Sequence, residues 1–162
     1  ARPERIAGLV LLAPAITGAP ESVLCAHERR LGELIDNATA AGDLDEANRY
    51  ETWFWLDGPG QPEGRVSGAA RELALEMNRT ILGHGDEDEF DESVDAWNRL
   101  GELALPVTVA VGEHDASFIV QRARQLTAGI VGATYGELSG TAHLPYLDQP
   151  ELVVRTVRTA LG

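Results

Sequence analysis

The most informative segment of this chain is Val107-Thr-Val-Ala-Val-Gly-Glu-His-Asp115, an apolar run that ends in an acid. A second segment, Ser139-Gly-Thr-Ala-His143-Leu-Pro-Tyr-Leu-Asp-Gln-Pro150, presents a histidine just before a predicted helix. An uninterrupted apolar run of this length is typical of a buried strand in a parallel sheet. Because ligand sites of such sheets lie at the carboxyl ends of the strands, Asp115 and His143 are predicted to meet at one sheet edge.

Composition places the chain among ordinary globular proteins and excludes several functions. The 162 residues carry 44% hydrophobic and 24% charged residues, enough chain to bury a core as one domain. The formal net charge is −13, which opposes binding to nucleic acid and to anionic membranes. We therefore expect no nucleic-acid partner and no membrane partner. We also expect no membrane span, because the apolar run Ile6–Pro14 is far too short for one.

Cysteine usage and the first residues bear on the cellular compartment. The single Cys25 has no partner for an internal disulfide, which favours a reducing compartment, and the residue is expected to be small and buried. The chain shows no signal-peptide pattern at its start. Both observations lead us to expect a cytoplasmic protein.

The pattern of apolar residues divides the chain into strands at the ends and helices between them. A strand buried on both faces is predicted over Ile6–Pro14. One or two short helices are predicted over Ser22–Asp36. Further helices are predicted from Asp43, a cap-like start with Glu46 three residues on, to about Leu56, and over Val66–Leu82. The last of these carries an apolar stripe formed by Val66, Ala70, Leu73, Met77 and Ile81.

After residue 103 the pattern alternates between strands and helices. Strands are predicted over Val107–Val111 and Ala133–Leu138, and helices over Phe118–Leu126 and Glu151–Leu161. The last helix is expected to bury one face, formed by Leu152, Val153, Thr156, Val157 and Ala160. This alternation predicts an α/β fold with parallel crossovers.

Three segments, in this order, resemble the C-terminal half of α/β-hydrolase-fold enzymes. Arg2–Pro14 resembles the sixth strand of that fold, Leu105–Asp115 its seventh strand and acid turn, and Thr134–Glu151 its eighth strand and histidine loop. The resemblance implies part of a parallel sheet with a helical cap inserted. It divides the chain into core (1–17), helical cap (18–100) and core again (101–162).

The resemblance also implies catalytic roles for two residues. His143 would be the general base and Asp115 the acid that orients the imidazole. The nucleophile is not in the chain: Gly-x-Ser-x-Gly does not occur, and in the family the nucleophile precedes the strand that starts here at Ile6. Alone, the chain is expected to be inactive and to need a chain that supplies the N-terminal half, or to self-associate.

Other candidate residues have weaker patterns. His114 is too close to Asp115 in sequence to pair with it, and Glu113 is a conceivable substitute acid. His84 with Asp86 and Asp88 is compatible with a metal site, although a solvated acidic loop fits better, and no cofactor is expected.

The aromatic residues of the cap leave two interpretations open. They either line a pocket for an acyl or aromatic group above the triad, or pack the cap on the core. The candidate substrate-binding residues are Trp53, Trp55, Phe118 and Leu144.

The function expected from this pattern is hydrolysis of an ester, lactone or carbon–carbon bond in a small apolar substrate, through a serine nucleophile. With an aspartate nucleophile the same residues would serve an epoxide hydrolase or dehalogenase. The remaining alternative is a non-catalytic fragment that needs a partner chain.

Overall fold

The structure is a computed structural model that describes residues 5–84 and 94–162. Part of the segment Arg2–Pro14 and the acidic residues Asp86 and Asp88 lie outside these ranges. The strands are β1 (Leu9–Leu12), β2 (Val107–Gly112) and β3 (Thr134–Leu138). The α-helices are α1 (Ala26–Ala40), α2 (Leu44–Thr52), α3 (Ala69–His84), α4 (Ser117–Gly129), α5 (Pro145–Asp148) and α6 (Pro150–Leu161). A π-helical turn (Trp53–Asp57) follows α2, and a 3₁₀ helix (Trp97–Glu102) precedes β2.

The described strands form one parallel sheet in the order β1-β2-β3. Leu11 pairs with Val109, which in turn pairs with Tyr135. Helix α4 connects β2 to β3, as parallel pairing requires of a crossover. The predicted α/β class with parallel strands is therefore confirmed.

The central strand β2 is the most buried element of the sheet. Val107, Val109 and Val111 are each at most 2% exposed. They pack in one core with Ala123 and Leu126 of α4. Burial on both faces explains why this strand reads as an uninterrupted apolar run.

Strand β1 is shorter and less buried than predicted. The sequence predicts a strand over Ile6–Pro14 buried on both faces, whereas the structure forms a strand over Leu9–Leu12 with all four residues half-buried. Within the described residues β1 pairs only with β2, so one edge of this strand has no neighbour.

The helices between β1 and β2 start and end at recognisable signals. The Asp43 carboxylate accepts a hydrogen bond from the Glu46 N–H (3.1 Å) and caps α2 as predicted. Gly58, with a φ of 97°, ends the π-helical turn. Helix α1 begins four residues later than predicted and its N-cap is Cys25, which is exposed rather than buried because it precedes the first turn of the helix.

The predicted apolar stripe does not form one buried face: Val66 is buried before α3 begins, whereas Met77 and Ile81 of α3 line a cavity. Leu73, Met77 and Ile81 are 45%, 44% and 66% exposed, and the buried residue of this helix is Ala74. The stripe had correctly predicted a helix, but the helix begins at Ala69, after Gly68.

Helix α6 covers the sheet only partly. Its predicted inner residues (Leu152, Val153, Thr156, Val157 and Ala160) are half-buried, and none is fully buried. No helix in the described part of the chain is long and apolar enough to cross a bilayer.

Candidate active site

Asp115 and His143 lie at the carboxyl edge of the sheet, in the turns that follow β2 and β3. Parallel pairing of these strands brings the two turns together. The turns are joined by backbone hydrogen bonds: Glu113 N–H donates to the Leu138 carbonyl (3.2 Å) and His114 N–H to the Thr141 carbonyl (2.8 Å). This pairing holds the two catalytic candidates at a defined separation.

The side chains of Asp115 and His143 form a direct pair. His143 Nδ1 lies 3.1 Å from Asp115 Oδ2 and 3.2 Å from Oδ1. The Asp115 side chain is 1% exposed and the His143 side chain 26%. The acid is thus shielded from water while the imidazole stays accessible, as a base that must meet a substrate requires.

The hydrogen bonds of Asp115 determine the tautomer of His143. A carboxylate only accepts hydrogen bonds, so the ring hydrogen that makes this bond sits on Nδ1. The Ala116 N–H also donates to Asp115 Oδ1 (2.8 Å) and fixes the carboxylate. Nε2 of the neutral ring therefore carries the lone pair that can take a proton.

The π-helical turn supports His143 from the side of the helical segment between β1 and β2. The His143 N–H donates to the Trp55 carbonyl (3.1 Å), and the ring centroids of Trp55 and His143 are 4.6 Å apart. Trp55 thus holds the histidine by both its backbone and its ring. The sequence had left open whether Trp55 lines a pocket or packs the cap on the core, and it had not predicted this contact with the histidine.

Two glycines allow these segments to approach closely. A Cβ on Gly112 would stand 2.2 Å from the Ala142 carbonyl oxygen, in the loop that carries His143. A Cβ on Gly58 would stand 2.2 Å from the His114 carbonyl oxygen. Only glycine fits at these approaches. The run Asp57–Gly60 had been predicted to end a helix, but neither close approach was recognised from the sequence, because glycine is common at strand ends and in turns whatever lies beside it.

Arg65 links the helical segment to the histidine loop. Its guanidinium donates to the Gly140 carbonyl (2.6 Å) and forms an ion pair with Asp148 (2.8 Å). It also donates to the carbonyls of Leu56 (2.8 Å) and Asp57 (2.7 Å). Arg65 therefore connects the loop that carries His143 to the end of the π-helical turn.

Asp57 organises the loop that carries Arg65. Its carboxylate is fully buried and accepts from the N–H groups of Gly64 and Val66 (both 2.9 Å). Arg71 of α3 neutralises its charge at 2.6 Å. A buried carboxylate needs such partners, and here they fold residues 58–66 against the helices.

A cavity of about 360 Å³ opens beside His143. Its walls come from α2, the π-helical turn, α3 and α5, and most of them are apolar. Two of the candidate substrate-binding residues, Trp55 and Leu144, line it. The exposed Met77 and Ile81 of α3 line it too, which explains why this apolar stripe is not packed in the core.

The other two substrate-binding candidates lie elsewhere. Trp53 is two positions from Trp55 and points to the opposite side of the helical turn, where its indole N–H donates to the Gln61 carbonyl (2.8 Å). Phe118 lines a separate apolar cavity of about 320 Å³ with Pro14 and Ile16. The structure therefore does not bring Trp53 and Phe118 to the cavity beside His143.

The alternative acid and base are engaged in other contacts. Glu113 accepts a hydrogen bond from the Gly140 N–H (2.8 Å) and so supports the histidine loop. His114 Nδ1 lies 3.3 Å from the Gln61 amide nitrogen. Within the described part of the chain, neither Glu113 nor His114 is hydrogen-bonded to His143.

No described serine or cysteine is hydrogen-bonded to His143. The Ser117 N–H donates to Glu28, the Ser139 carbonyl accepts from Gln149, and Cys25 is exposed at the start of α1. Within residues 5–84 and 94–162 no group of three metal-ligating side chains occurs. Asp86 and Asp88, the partners proposed for His84, lie outside these ranges.

Glu28 joins α1 to the start of α4. It accepts hydrogen bonds from the N–H groups of Cys25 (2.6 Å) and Ser117 and is 1% exposed. Burial raises the pKa of Glu28, but the hydrogen bonds from Cys25 and Ser117 outweigh it and leave the pKa below its ordinary value.

Comparison with known proteins shows the class of fold to which this arrangement belongs. No protein-family profile matches the chain, and no curated protein matches its sequence. Among solved structures, it is similar to a 2-hydroxy-6-oxo-6-phenylhexa-2,4-dienoate hydrolase from Rhodococcus sp. strain RHA1, with a TM-score of 0.68 and 17% identity over 98% of this chain and 56% of that one.

Two further structures match over a similar range. A hydrolase from Pseudomonas aeruginosa PA01 has a TM-score of 0.65 and 22% identity over 99% of this chain and 57% of that one. An enol-lactonase from Burkholderia xenovorans LB400 has a TM-score of 0.60 and 21% identity over 98% of this chain and 57% of that one. The chain has part of the α/β-hydrolase fold, and it spans little more than half the length of these structures.

Proposed function

We propose that Asp115 and His143 are the acid and the base of a nucleophile–acid–histidine triad in a hydrolase. The substrate is a small, mostly apolar molecule. The bond cleaved is that of an ester or a lactone, or a carbon–carbon bond next to a carbonyl, and cleavage proceeds through an acyl-enzyme. The observation that carries the proposal is the Asp115–His143 pair at the carboxyl edge of the sheet, beside a largely apolar cavity. The neighbouring structures named as hydrolase and enol-lactonase support the same class.

His143 and Asp115 divide the proton chemistry between them. His143 Nε2 takes the proton of the nucleophile as its oxygen attacks the carbonyl carbon, and then passes this proton to the leaving group. In the second half, Nε2 takes a proton from the water whose oxygen attacks the acyl carbon, and returns it to the oxygen of the nucleophile as the acyl–oxygen bond breaks and the acid leaves. The buried Asp115 carboxylate holds the Nδ1–H tautomer and stabilises the imidazolium that forms in each half.

The nucleophile in this proposal comes from outside these 162 residues. No Gly-x-Ser-x-Gly occurs in the sequence, and no described serine or cysteine is hydrogen-bonded to His143. An N-terminal segment of the same polypeptide or a second chain would supply it. Serine is the proposed nucleophile because the same acid and base then suit acyl transfer.

Intact mass before and after treatment with a fluorophosphonate probe tests the proposal on the protein as its source cell makes it. We expect one probe adduct, together with hydrolysis of p-nitrophenyl hexanoate that the probe abolishes. The position of the adduct identifies the source of the nucleophile. It lies either on the polypeptide that contains Asp115 and His143 or on a second one.

Two results would contradict the serine proposal. Absence of both adduct and ester hydrolysis would remove the hydrolase assignment for esters. Absence of an adduct with turnover of an epoxide or a haloalkane would instead assign an aspartate nucleophile.

A further inference from the structure

The cavity beside His143 has one polar wall that the proposed chemistry does not use. Glu51 and Asn78, both half-buried, line the cavity from α2 and α3. Glu51 lies four residues before Trp55, about one helical turn earlier along the segment formed by α2 and the π-helical turn, and both residues line the cavity. A group attached to a substrate held at His143 would reach this wall.

The hydrogen bonds behind this wall determine what it presents to the cavity. Asn48 is 1% exposed, and its amide nitrogen donates to the Leu75 carbonyl (3.0 Å), so its Oδ1 accepts. The Asn78 amide nitrogen therefore donates to Asn48 Oδ1 (3.0 Å) and also to Glu51 Oε2 (2.7 Å). Both hydrogens of the Asn78 amide are used, and its Oδ1 has no partner among the described residues.

The wall formed by Glu51 and Asn78 therefore offers only acceptors, while the hydroxyls of Thr52 and Tyr146, which also line the cavity, can both donate and accept. Glu51 has a second carboxylate oxygen and Asn78 a carbonyl oxygen, and neither side chain has a donor left for a ligand. No arginine occurs among the described residues that line the cavity, and Glu51 is their only carboxylate. A ligand carboxylate placed here would meet like charge without a counter-ion.

We propose that Glu51 and Asn78 form a specificity subsite for substrates that carry a hydrogen-bond donor, a hydroxyl or an ammonium, on the group that enters the cavity. The subsite discriminates against substrates with a carboxylate at that position. This inference rests on the proposed hydrolase function, because it uses His143 to place the reacting carbonyl.

Four p-nitrophenyl esters of equal length test the subsite in the native protein: hexanoate and its ω-hydroxy, ω-amino and ω-carboxy derivatives. We expect kcat/KM for the ω-amino and ω-hydroxy esters to exceed that for the ω-carboxy ester by at least about tenfold, because only the donors pair with Glu51 and Asn78. An equal or higher kcat/KM for the ω-carboxy ester would overturn the inference.

The variant Glu51→Gln isolates the charge of this wall. The Gln carbonyl oxygen still accepts from Asn78, so the fold is retained, and its melting temperature checks this. We expect the ratio of kcat/KM for the ω-amino over the ω-carboxy ester to fall roughly tenfold. Glu33→Gln, an exposed position on α1, is the matched control and leaves the ratio unchanged.

These experiments distinguish a wrong assignment of the subsite from a wrong assignment of the hydrolase function. If the protein cleaves hexanoate and takes the probe but Glu51→Gln leaves the ratio unchanged, the subsite is wrong and the triad stands. If no ester is cleaved and no adduct forms, both proposals fail together.

Discussion

Two regions meet at His143: the sheet edge, which carries the acid turn and the histidine loop, and the helical segment between β1 and β2. The contacts within the sheet edge differ in kind from those that attach the helical segment to it. The acid turn and the histidine loop are linked by backbone hydrogen bonds between residues 112–115 and 138–141. The helical segment reaches the same edge largely through side chains, with Arg65 donating to the Gly140 carbonyl and Glu28 accepting from the Ser117 N–H. A backbone hydrogen bond is kept when most side chains are substituted, whereas each side-chain link depends on the identity of one residue and on its charge.

This difference assigns distinct tasks to the two regions. The sheet edge holds the acid and the base in register, which the proposed chemistry needs in every substrate complex. The helical segment supplies the cavity walls and the ring on His143, so changes in it are expected to alter selectivity and pH response before they alter the chemical step.

The largest effect is expected from removing His143, the proposed base, from the sheet edge. In the native protein His143→Ala should lower kcat for p-nitrophenyl hexanoate by at least about a thousandfold, because no other described side chain is paired with Asp115 as its base. The circular dichroism spectrum and the melting temperature should change little, since His143 is on the surface of the cavity. Near-normal turnover would remove His143 from the base role.

A substitution at Gly112 tests the backbone link between the two turns. Gly112→Ala places a Cβ 2.2 Å from the Ala142 carbonyl oxygen, and relieving this contact must move the histidine loop. We expect a loss of about 3 kcal/mol in the free energy of unfolding, measured by denaturant titration, and a lower kcat.

Gly136→Ala in β3 is the matched control for Gly112→Ala. Its Cβ would lie 3.8 Å from the Ala110 Cβ, an ordinary contact, so the change should stay within about 1 kcal/mol. Equal effects of the two substitutions would show that the close approach at Gly112 does not matter.

The smallest effect is expected at Glu28, a side-chain link. Glu28→Gln leaves the two N–H donors with a weaker acceptor and should cost about 1–2 kcal/mol of unfolding free energy at neutral pH. The pKa of Glu28 is lowered in the folded protein, so its contribution is full above the ordinary glutamate pKa of about 4.3 and is lost as the pH falls through the lowered value.

The pH dependence distinguishes a charge effect from a packing effect at Glu28. The stability gap between the native protein and Glu28→Gln should narrow below about pH 4, and Glu33→Gln on the same helix should show no gap. A gap that is constant from pH 7 to about pH 3 would contradict the role of the charge.

Much of the sheet edge was predictable because its signals are local. The apolar run Val107–Val111 ends in the acid, and the turn before Pro145 carries the histidine, so strand pairing alone brings Asp115 and His143 together. The class of fold followed from the order of these segments. The roles of the two residues remain a proposal that the substitutions above test.

The helical segment was predicted less completely, for physical reasons. Periodicity indicated α2 and α3, but a helical period does not say which neighbour a face will meet. Leu73, Met77 and Ile81 were therefore recognised as a stripe without any sign that it faces open space, and Cys25 was expected to be buried. Trp53 and Trp55 look alike in sequence, yet the helical turn sends one to Gln61 and the other to His143.

The sequence by itself determined the parallel strands, the position of the acid and the histidine after them, and the helical character of the segment between. Only the tertiary structure decided the anchors Glu28 and Arg65, which act across 89 and 75 residues, and the cavity walls. Strands, turns and helices are encoded by neighbouring residues, whereas a contact between distant segments leaves no pattern along the chain until folding brings its partners together.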